Sequence, residues 1–183
     1  MNAPVQVISK TDARALSARA LLDAVVDPEI PVLSIAEMGV LRGVAVETLG
    51  PGKGGAESER VIVTITPTYS GCPAMTVIEM DIRDVLLQAG FGEVRVETVL
   101  APAWTTDWLA DTGREKLRAL GIAPPVGAAA AGKGVLFGLD PQVACPRCAS
   151  ANTHMLSRFG STACKALYRC AACQEPFDYF KCI

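Results

Sequence analysis

The sequence VIVTITPTYSGCPAM, which occupies residues 61–75, passes from a strand pattern to a helix start. Its first part has apolar side chains at the alternate positions Val61, Val63 and Ile65, as in a strand that buries one face. Its second part ends in a turn and then Pro73, and proline is favoured in the first turn of a helix. We therefore predict a half-buried strand that is followed, after a short turn, by a helix.

The predicted helix covers residues 73–89 and has one apolar face, which includes Ile78, Ile82 and Leu86. Gly90 suits its C-terminal cap. Residues 94–99 then alternate apolar and polar side chains, which indicates a second half-buried strand. Strand, helix and strand in this order favour a right-handed crossover, so we expect the two strands to be parallel.

Upstream, residues 40–48 form another predicted strand, and a glycine-rich, charged segment joins it to the strand at residues 61–66. Such a segment is typical of an exposed hairpin tip. Further downstream, residues 106–120 predict a final helix. The fold class expected for residues 1–122 is therefore α+β, with a small three-stranded mixed sheet and helices.

The N-terminal part of this domain predicts a helix that is capped by Thr11 or Asp12 and ends near Pro28. Residues 29–38 then form a predicted loop that leads to the strand at residues 40–48. The apolar face of the helix follows the spacing of helical turns and comprises Ala18, Leu21, Leu22 and Val25.

Residues 123–143 are rich in proline, alanine and glycine, which favours a linker. The block that follows, residues 144–183, contains CPRC at 145–148 and CAAC at 170–173. Each pair supplies two ligands from one tight turn, so two pairs complete a tetrahedral site. This spacing predicts a β-rich zinc ribbon whose metal ligands are Cys145, Cys148, Cys170 and Cys173.

A site closed by four protein ligands leaves no position for a substrate, so the zinc is expected to be structural. Its binding energy, about 10–16 kcal/mol in small zinc modules, would offset the lack of a large core. Two further cysteines of the module, Cys164 and Cys182, are candidate additional thiols. They could be buried fillers, alternative ligands or part of an iron–sulfur site.

The overall composition excludes several classes of function. The 183-residue chain has a formal net charge of −2, which argues against a nucleic-acid binder. No apolar run is long enough to span a bilayer, and the N-terminus does not resemble a signal peptide, so we expect a cytoplasmic protein. Seven cysteines are then more typical of metal ligands or reactive thiols than of disulfides. A single histidine, His154, argues against Ser-His-Asp chemistry.

Cys72 is the candidate reactive residue of the first domain, because it lies close to the predicted helix start. The free N–H groups there favour negative charge, and hence a thiolate that can act as a nucleophile or soft-metal ligand. The alternative is a buried packing residue. Asp27, Glu29 and Thr66 are candidate supporting residues, although Asp27 could cap its own loop and Glu29 could be solvated.

Three segments, DPEIPVLSIAEMGVL, VIVTITPTYSGCPAM and LAPAWTTDW, resemble the MIP18 family, also called DUF59. Members of that family are associated with iron–sulfur cluster assembly and delivery. The resemblance covers roughly residues 15–122 and places Cys72 at the family's reactive position. It also matches the acidic loop to residues 27–29.

Together with the ribbon, the chain resembles the family of D-type (or J-type) accessory subunits of bacterial phenylacetyl-CoA oxygenase, a 1,2-phenylacetyl-CoA epoxidase. This resemblance implies an accessory, non-enzymatic role in phenylacetate catabolism. Its expected partners are the oxygenase and reductase components, with no membrane or nucleic acid, and it leaves a homodimer open. The leading hypothesis is maturation of an iron or iron–sulfur centre, with Cys72 carrying transient iron, sulfur or a cluster. The alternative is a structural subunit bound in the oxygenase complex.

Overall fold

A computed structural model describes residues 13–51, 57–126 and 141–181. The chain divides into two compact units, Met1–Trp104 and Thr105–Ile183. The predicted cap residues Thr11 and Asp12, and also Cys182, lie outside the described ranges. Within those ranges no helix has the length and apolar character needed to cross a membrane.

The described residues of the first unit form two helices, one short 3-10 helix and five strands. Its sheet has the order β3-β4-β5, with β3 and β4 antiparallel and β4 and β5 parallel. This confirms the predicted α+β class and the three-stranded mixed sheet. The elements are α1 (Ala13–Leu21), a 3-10 turn (Leu22–Ala24), β1 (Val26–Asp27), β2 (Ile30–Ser34), β3 (Leu41–Pro51), β4 (Glu57–Ile65), α2 (Ala74–Gln88) and β5 (Glu93–Thr98).

The central strand β4 carries the alternation on which the fold prediction depends. Val61, Val63 and Ile65 are all buried, and Val63 pairs with Val44 on one side and Val96 on the other. Helix α2 contacts β5 and buries Ala74, Ile78, Ile82 and Leu86. The apolar faces of β4 and α2 therefore form part of the core of the unit.

Two details of the N-terminal region differ from the prediction. The predicted loop at residues 29–38 contains β2, which pairs with β1 through Asp27↔Ile30 and Val26↔Ser34. The strand pair is too short for its periodicity to be recognised in the sequence. The first helix ends at Leu21, well before Pro28, and Leu21 is 36% exposed, whereas the other three residues of its predicted apolar face, Ala18, Leu22 and Val25, are buried.

The second unit contains the other helix and the ribbon. A 3-10 turn (Thr106–Trp108) precedes α3 (Asp111–Leu120), and the sheet β6-β7-β8 is antiparallel throughout. Extended backbone at Ala110 (φ −64°, ψ 153°) separates the turn from the helix, so the predicted helix over residues 106–120 is wrong in its first turn. The strands are β6 (Thr153–Ser157), β7 (Lys165–Cys170) and β8 (Pro176–Phe180).

Ala123 joins the segment after α3 to the ribbon. Its N–H donates to Asp178 O at 2.8 Å and its carbonyl accepts from Phe180 N at 2.9 Å. Because the division between the units falls after Trp104, α3 lies in the same unit as the ribbon. The predicted domain boundaries at residues 122 and 143 depend on composition and stay predictions.

Candidate metal centre and candidate thiol site

The two CxxC turns bring four sulfur atoms together. The Sγ atoms of Cys145, Cys148, Cys170 and Cys173 all lie within 4.8 Å of one another. Across the two turns, the Cys145–Cys173 distance is 3.7 Å and the Cys148–Cys170 distance is 3.6 Å. A tetrahedral zinc site with bonds of ~2.3 Å requires sulfur–sulfur edges of about 3.8 Å. The four sulfurs therefore fit a tetrahedral metal ion.

The two turns have the same backbone geometry. Cys145 N donates to Ser150 O at 2.9 Å, and Cys170 N donates to Glu175 O at 3.0 Å, five residues further on in each case. The residues that follow the second cysteines are left-handed, with φ 59° at Ala149 and φ 66° at Gln174. Two similar turns thus face each other across the metal position, and each contributes two sulfurs.

Backbone N–H groups also point at the sulfur atoms. Arg147 N donates to Cys145 Sγ at 3.4 Å, and Cys173 N donates to Cys170 Sγ at 3.5 Å. The amide of Cys173, opposed by burial of the thiol, lowers the pKa of Cys170 from 9.0 to about 6. Such donors stabilise a thiolate, which is the form that binds metal.

The crowding of the sulfur atoms helps to raise the pKa of one thiol, that of Cys173. A backbone hydrogen bond with Glu175 lowers the pKa of Cys173, but burial and the neighbouring thiols raise it overall to about 12. Four thiolates this close together repel one another unless a cation lies between them. The donor set is therefore suited to a thiophilic divalent ion.

Two of the four cysteines of this site belong to the ribbon core. Cys145 and Cys170 are buried, whereas Cys148 and Cys173 are exposed. The buried pair belongs to an apolar cluster, so packing and metal ligation share the same residues. The cluster consists of Ala123, Val143, Cys145, Ala166, Tyr168, Cys170, Phe177 and Tyr179.

Cys72 occupies the turn between β4 and α2. It is half-buried and lies one residue before Pro73, the N-cap of α2. Its N–H donates to Tyr69 O at 3.2 Å, and its carbonyl accepts from Met75 N at 3.3 Å. These backbone bonds fix the residue, while its thiol makes no hydrogen bond to any described residue.

The predicted supporting residues are positioned in different ways. Asp27 is 6% exposed, and its Oδ1 accepts from Glu29 N at 2.7 Å and from Ile30 N at 2.9 Å. Asp27 therefore caps its own turn, which is one of the two roles that the sequence left open for it. Thr66 is 1% exposed, and its hydroxyl has no hydrogen-bond partner among the described residues. Their roles beside Cys72 stay predictions.

A further feature of this region was missed by the sequence analysis. Ser34 N donates to Glu37 Oε2 at 3.1 Å, and Glu37 N donates to Ser34 Oγ at 3.2 Å. This is a reciprocal capping box, and the S-x-x-E pattern at residues 34–37 could have revealed it. Trp104 Nε1 donates to Met38 O at 2.9 Å and holds the end of the same turn.

Comparison with known proteins covers both units. The family model described as iron-sulfur cluster assembly protein matches residues 17–99. The model described as PaaD zinc beta ribbon domain matches residues 129–181. A protein of Escherichia coli (strain K12), provisionally named as the D-type subunit of 1,2-phenylacetyl-CoA epoxidase, is 50% identical over 164 residues, which are 90% of each chain. The chain belongs to this D-type family.

Membership of the D-type family confirms the resemblance drawn from the sequence motifs. It also confirms that the four-cysteine module is of the zinc-ribbon type. Among solved structures, a DUF59 domain from Bacillus anthracis has 25% identity and a TM-score of 0.48, covering 56% of this chain and 90% of that one. A Mycobacterium tuberculosis protein associated with Fe–S complex assembly and repair has 28% identity and a TM-score of 0.35, covering 66% of this chain and 98% of that one.

Proposed function

We propose that this protein is a non-catalytic accessory factor of a phenylacetyl-CoA epoxidase system, and that it matures an iron or iron–sulfur centre of the oxygenase or reductase component. The observation that carries the proposal is the 50% identity, along 90% of both chains, to a relative named for the D-type subunit of that epoxidase. The match of residues 17–99 to an iron–sulfur assembly family supports maturation as the form of assistance.

In this proposal Cys72 carries the cargo, which is iron, sulfur or a cluster. Three features of the residue support this role: its side chain is partly accessible, its backbone is fixed by two hydrogen bonds, and its thiol is unpaired within the described residues. A carrier needs such a ligand, because a thiol buried in the core cannot exchange cargo with another protein. The buried Thr66 hydroxyl, which immediately follows β4, is a candidate polar group beside the cargo.

The ribbon is proposed to hold one structural zinc ion. Four cysteine ligands close the coordination shell, so the ion would stabilise the ribbon and would not bind a substrate. We expect about one zinc ion per purified chain, because each turn supplies two ligands. Metal analysis should show that Cys170→Ser loses the ion and that Cys164→Ser, which removes a cysteine outside the cluster, retains it. If the wild-type protein instead contained about one iron ion per chain in the ribbon, the assignment of zinc would be wrong.

The decisive experiment measures iron and cluster content in the oxygenase and reductase components, purified from cells with and without this protein. We expect occupancy to fall in its absence and to be restored by the wild-type gene but not by Cys72→Ser. Cys164→Ser serves as the matched control, because it removes a different thiol and should restore occupancy. Full restoration by Cys72→Ser would remove Cys72 from the mechanism.

A structural subunit is the second candidate function, because the E. coli relative is named as a subunit. In that case the protein would co-purify with the oxygenase at fixed stoichiometry. Its deletion would abolish ring epoxidation while leaving the iron content of the other components unchanged. Iron content and stoichiometry therefore separate the two candidates.

A further inference from the structure

The end of β6 and the turn that follows it expose two large apolar side chains. Phe159 is 68% exposed, more than any other large apolar residue in the described ranges, and Leu156 is 51% exposed. Exposed apolar side chains that lie singly on a surface need no explanation, but a strongly exposed aromatic residue with a second exposed apolar residue three positions away in the same hairpin is typical of an interaction site.

The backbone that carries Phe159 is held in a closed turn. Ser157 Oγ donates to Phe159 O at 2.8 Å and accepts from Phe159 N at 3.2 Å. The same hydroxyl thus satisfies both backbone groups of the protruding residue. A side chain presented from a fixed turn loses less conformational entropy on binding than one on a flexible loop.

Two cations belong to this turn: Lys181 lies over the Phe159 ring, and Arg158 precedes Phe159 in the chain. Lys181 Nζ lies 4.7 Å from the ring centroid and donates to Arg158 O at 3.0 Å. Neither Arg158 nor Lys181 forms an ion pair with a described carboxylate, whereas the nearby Lys165 Nζ lies 3.7 Å from Asp178 Oδ2. Both cationic side chains are therefore available to an external anion.

We propose that this basic–aromatic tip, defined as Leu156, Arg158, Phe159 and Lys181, docks on an acidic protein surface that has an apolar recess for Phe159. Aromatic and arginine side chains dominate the binding energy of many interfaces, and they are most effective when surrounding contacts exclude water. The unpaired cations require carboxylates on the partner, which would steer association and fix its orientation. The identity of the partner, an oxygenase or reductase component, rests on the proposed function.

The charge of the molecule favours a protein over a nucleic acid as the partner. The whole chain has a formal net charge of −2, and the tip offers only two cations. A nucleic-acid site draws most of its affinity from many phosphate contacts. Two exposed apolar side chains accompanied by only two cations fit better against a recess in a protein surface.

Binding of the full-length, zinc-loaded protein to each purified epoxidase component tests the tip. We expect Phe159→Ser and Arg158→Glu each to weaken binding by at least about tenfold. Arg158→Glu should also reduce the dependence of affinity on salt, because it removes a long-range attraction. The matched controls, Leu120→Ser and Arg118→Glu, change exposed residues of α3 in the same unit and should leave affinity within about twofold.

Unchanged binding by both tip variants would overturn the docking proposal, and so would failure of the wild-type protein to bind either component. Salt-sensitive binding of a 30-nucleotide DNA or RNA probe that is lost in Arg158→Glu, without loss of component binding, would assign the tip to nucleic acid instead. Cluster content separates this proposal from the proposed function. If deletion of the protein lowers cluster content and the tip variants restore it fully, maturation stands and the tip proposal fails.

Discussion

Ala149 and Gln174 hold equivalent left-handed positions in the two metal-binding turns, with φ of 59° and 66°. Residues with a Cβ are strained in this conformation by roughly 1–2 kcal/mol, whereas glycine is not. We expect Ala149→Gly to raise the free energy of unfolding of the zinc-loaded protein by about 1 kcal/mol, after the entropy of the unfolded chain is included. Denaturant unfolding measures this, and Ala144→Gly is the control that should gain nothing. Destabilisation by Ala149→Gly would refute the strain argument.

The thiol of Cys170 provides a test at the same scale. Its pKa is lowered from 9.0 to about 6, chiefly by the backbone N–H of Cys173. A thiol with a lowered folded-state pKa stabilises the fold above its unfolded pKa, and this contribution is lost as the pH falls through about 6. In metal-free protein, under conditions where the ribbon amides keep measurable protection from hydrogen exchange, thiolate absorbance should therefore begin to rise near pH 6 and should lose this first step in Cys170→Ser. A single rise near pH 9 would contradict the assignment.

Substitutions at Asp27 can distinguish a structural from a functional role of the acidic loop, residues 27–29. Its Oδ1 accepts two backbone N–H groups, and asparagine can make the same two bonds. Asp27→Ala should cost about 1–2 kcal/mol of unfolding free energy, whereas Asp27→Asn should cost much less. If Asp27→Asn also restores cluster content in the client, the carboxylate has no role beside Cys72. If Asp27→Asn instead fails to restore cluster content although its unfolding free energy is normal, the carboxylate has a role in maturation.

At the scale of elements, we expect the ribbon strands to depend on the metal. Cys145 and Cys170 belong to the apolar cluster of β7 and β8, and that cluster is small. Removal of zinc by a chelator should therefore free the amides of β6, β7 and β8 for hydrogen exchange, while those of β3, β4 and β5 stay protected. Exchange followed by mass spectrometry gives this comparison within one sample. Retained protection in the ribbon would mean that the strands fold without metal.

The longer elements could be predicted from the sequence because their patterns repeat. The alternation at Val61, Val63 and Ile65 placed β4, and the helical spacing of Ile78, Ile82 and Leu86 placed α2. The strand pair β1–β2 could not be found this way, because its two and five residues contain too few repeats. The start of α3 was missed because a Thr105 cap and a 3-10 turn mimic a helix start.

At the scale of the whole molecule, the metal ligands could be predicted more completely than the thiol site. Two CxxC pairs specify four ligands and their geometry by spacing alone, and the structure brings those four sulfurs together. No spacing rule connects Cys72 with Asp27, because the two lie on separate segments, or with Thr66, because the course of the intervening turn depends on tertiary packing. The family of the chain was recognisable because its motifs span both units.

Each metal-binding turn has one buried and one exposed cysteine, and this has a consequence for oxidative damage. Hydrogen peroxide would reach Cys148 and Cys173 before Cys145 and Cys170. Oxidation of the exposed pair removes one ligand from each turn and leaves the ribbon core intact at first. The protein would thus lose its ion before its strands separate, and prompt thiol reduction with fresh zinc would repair it.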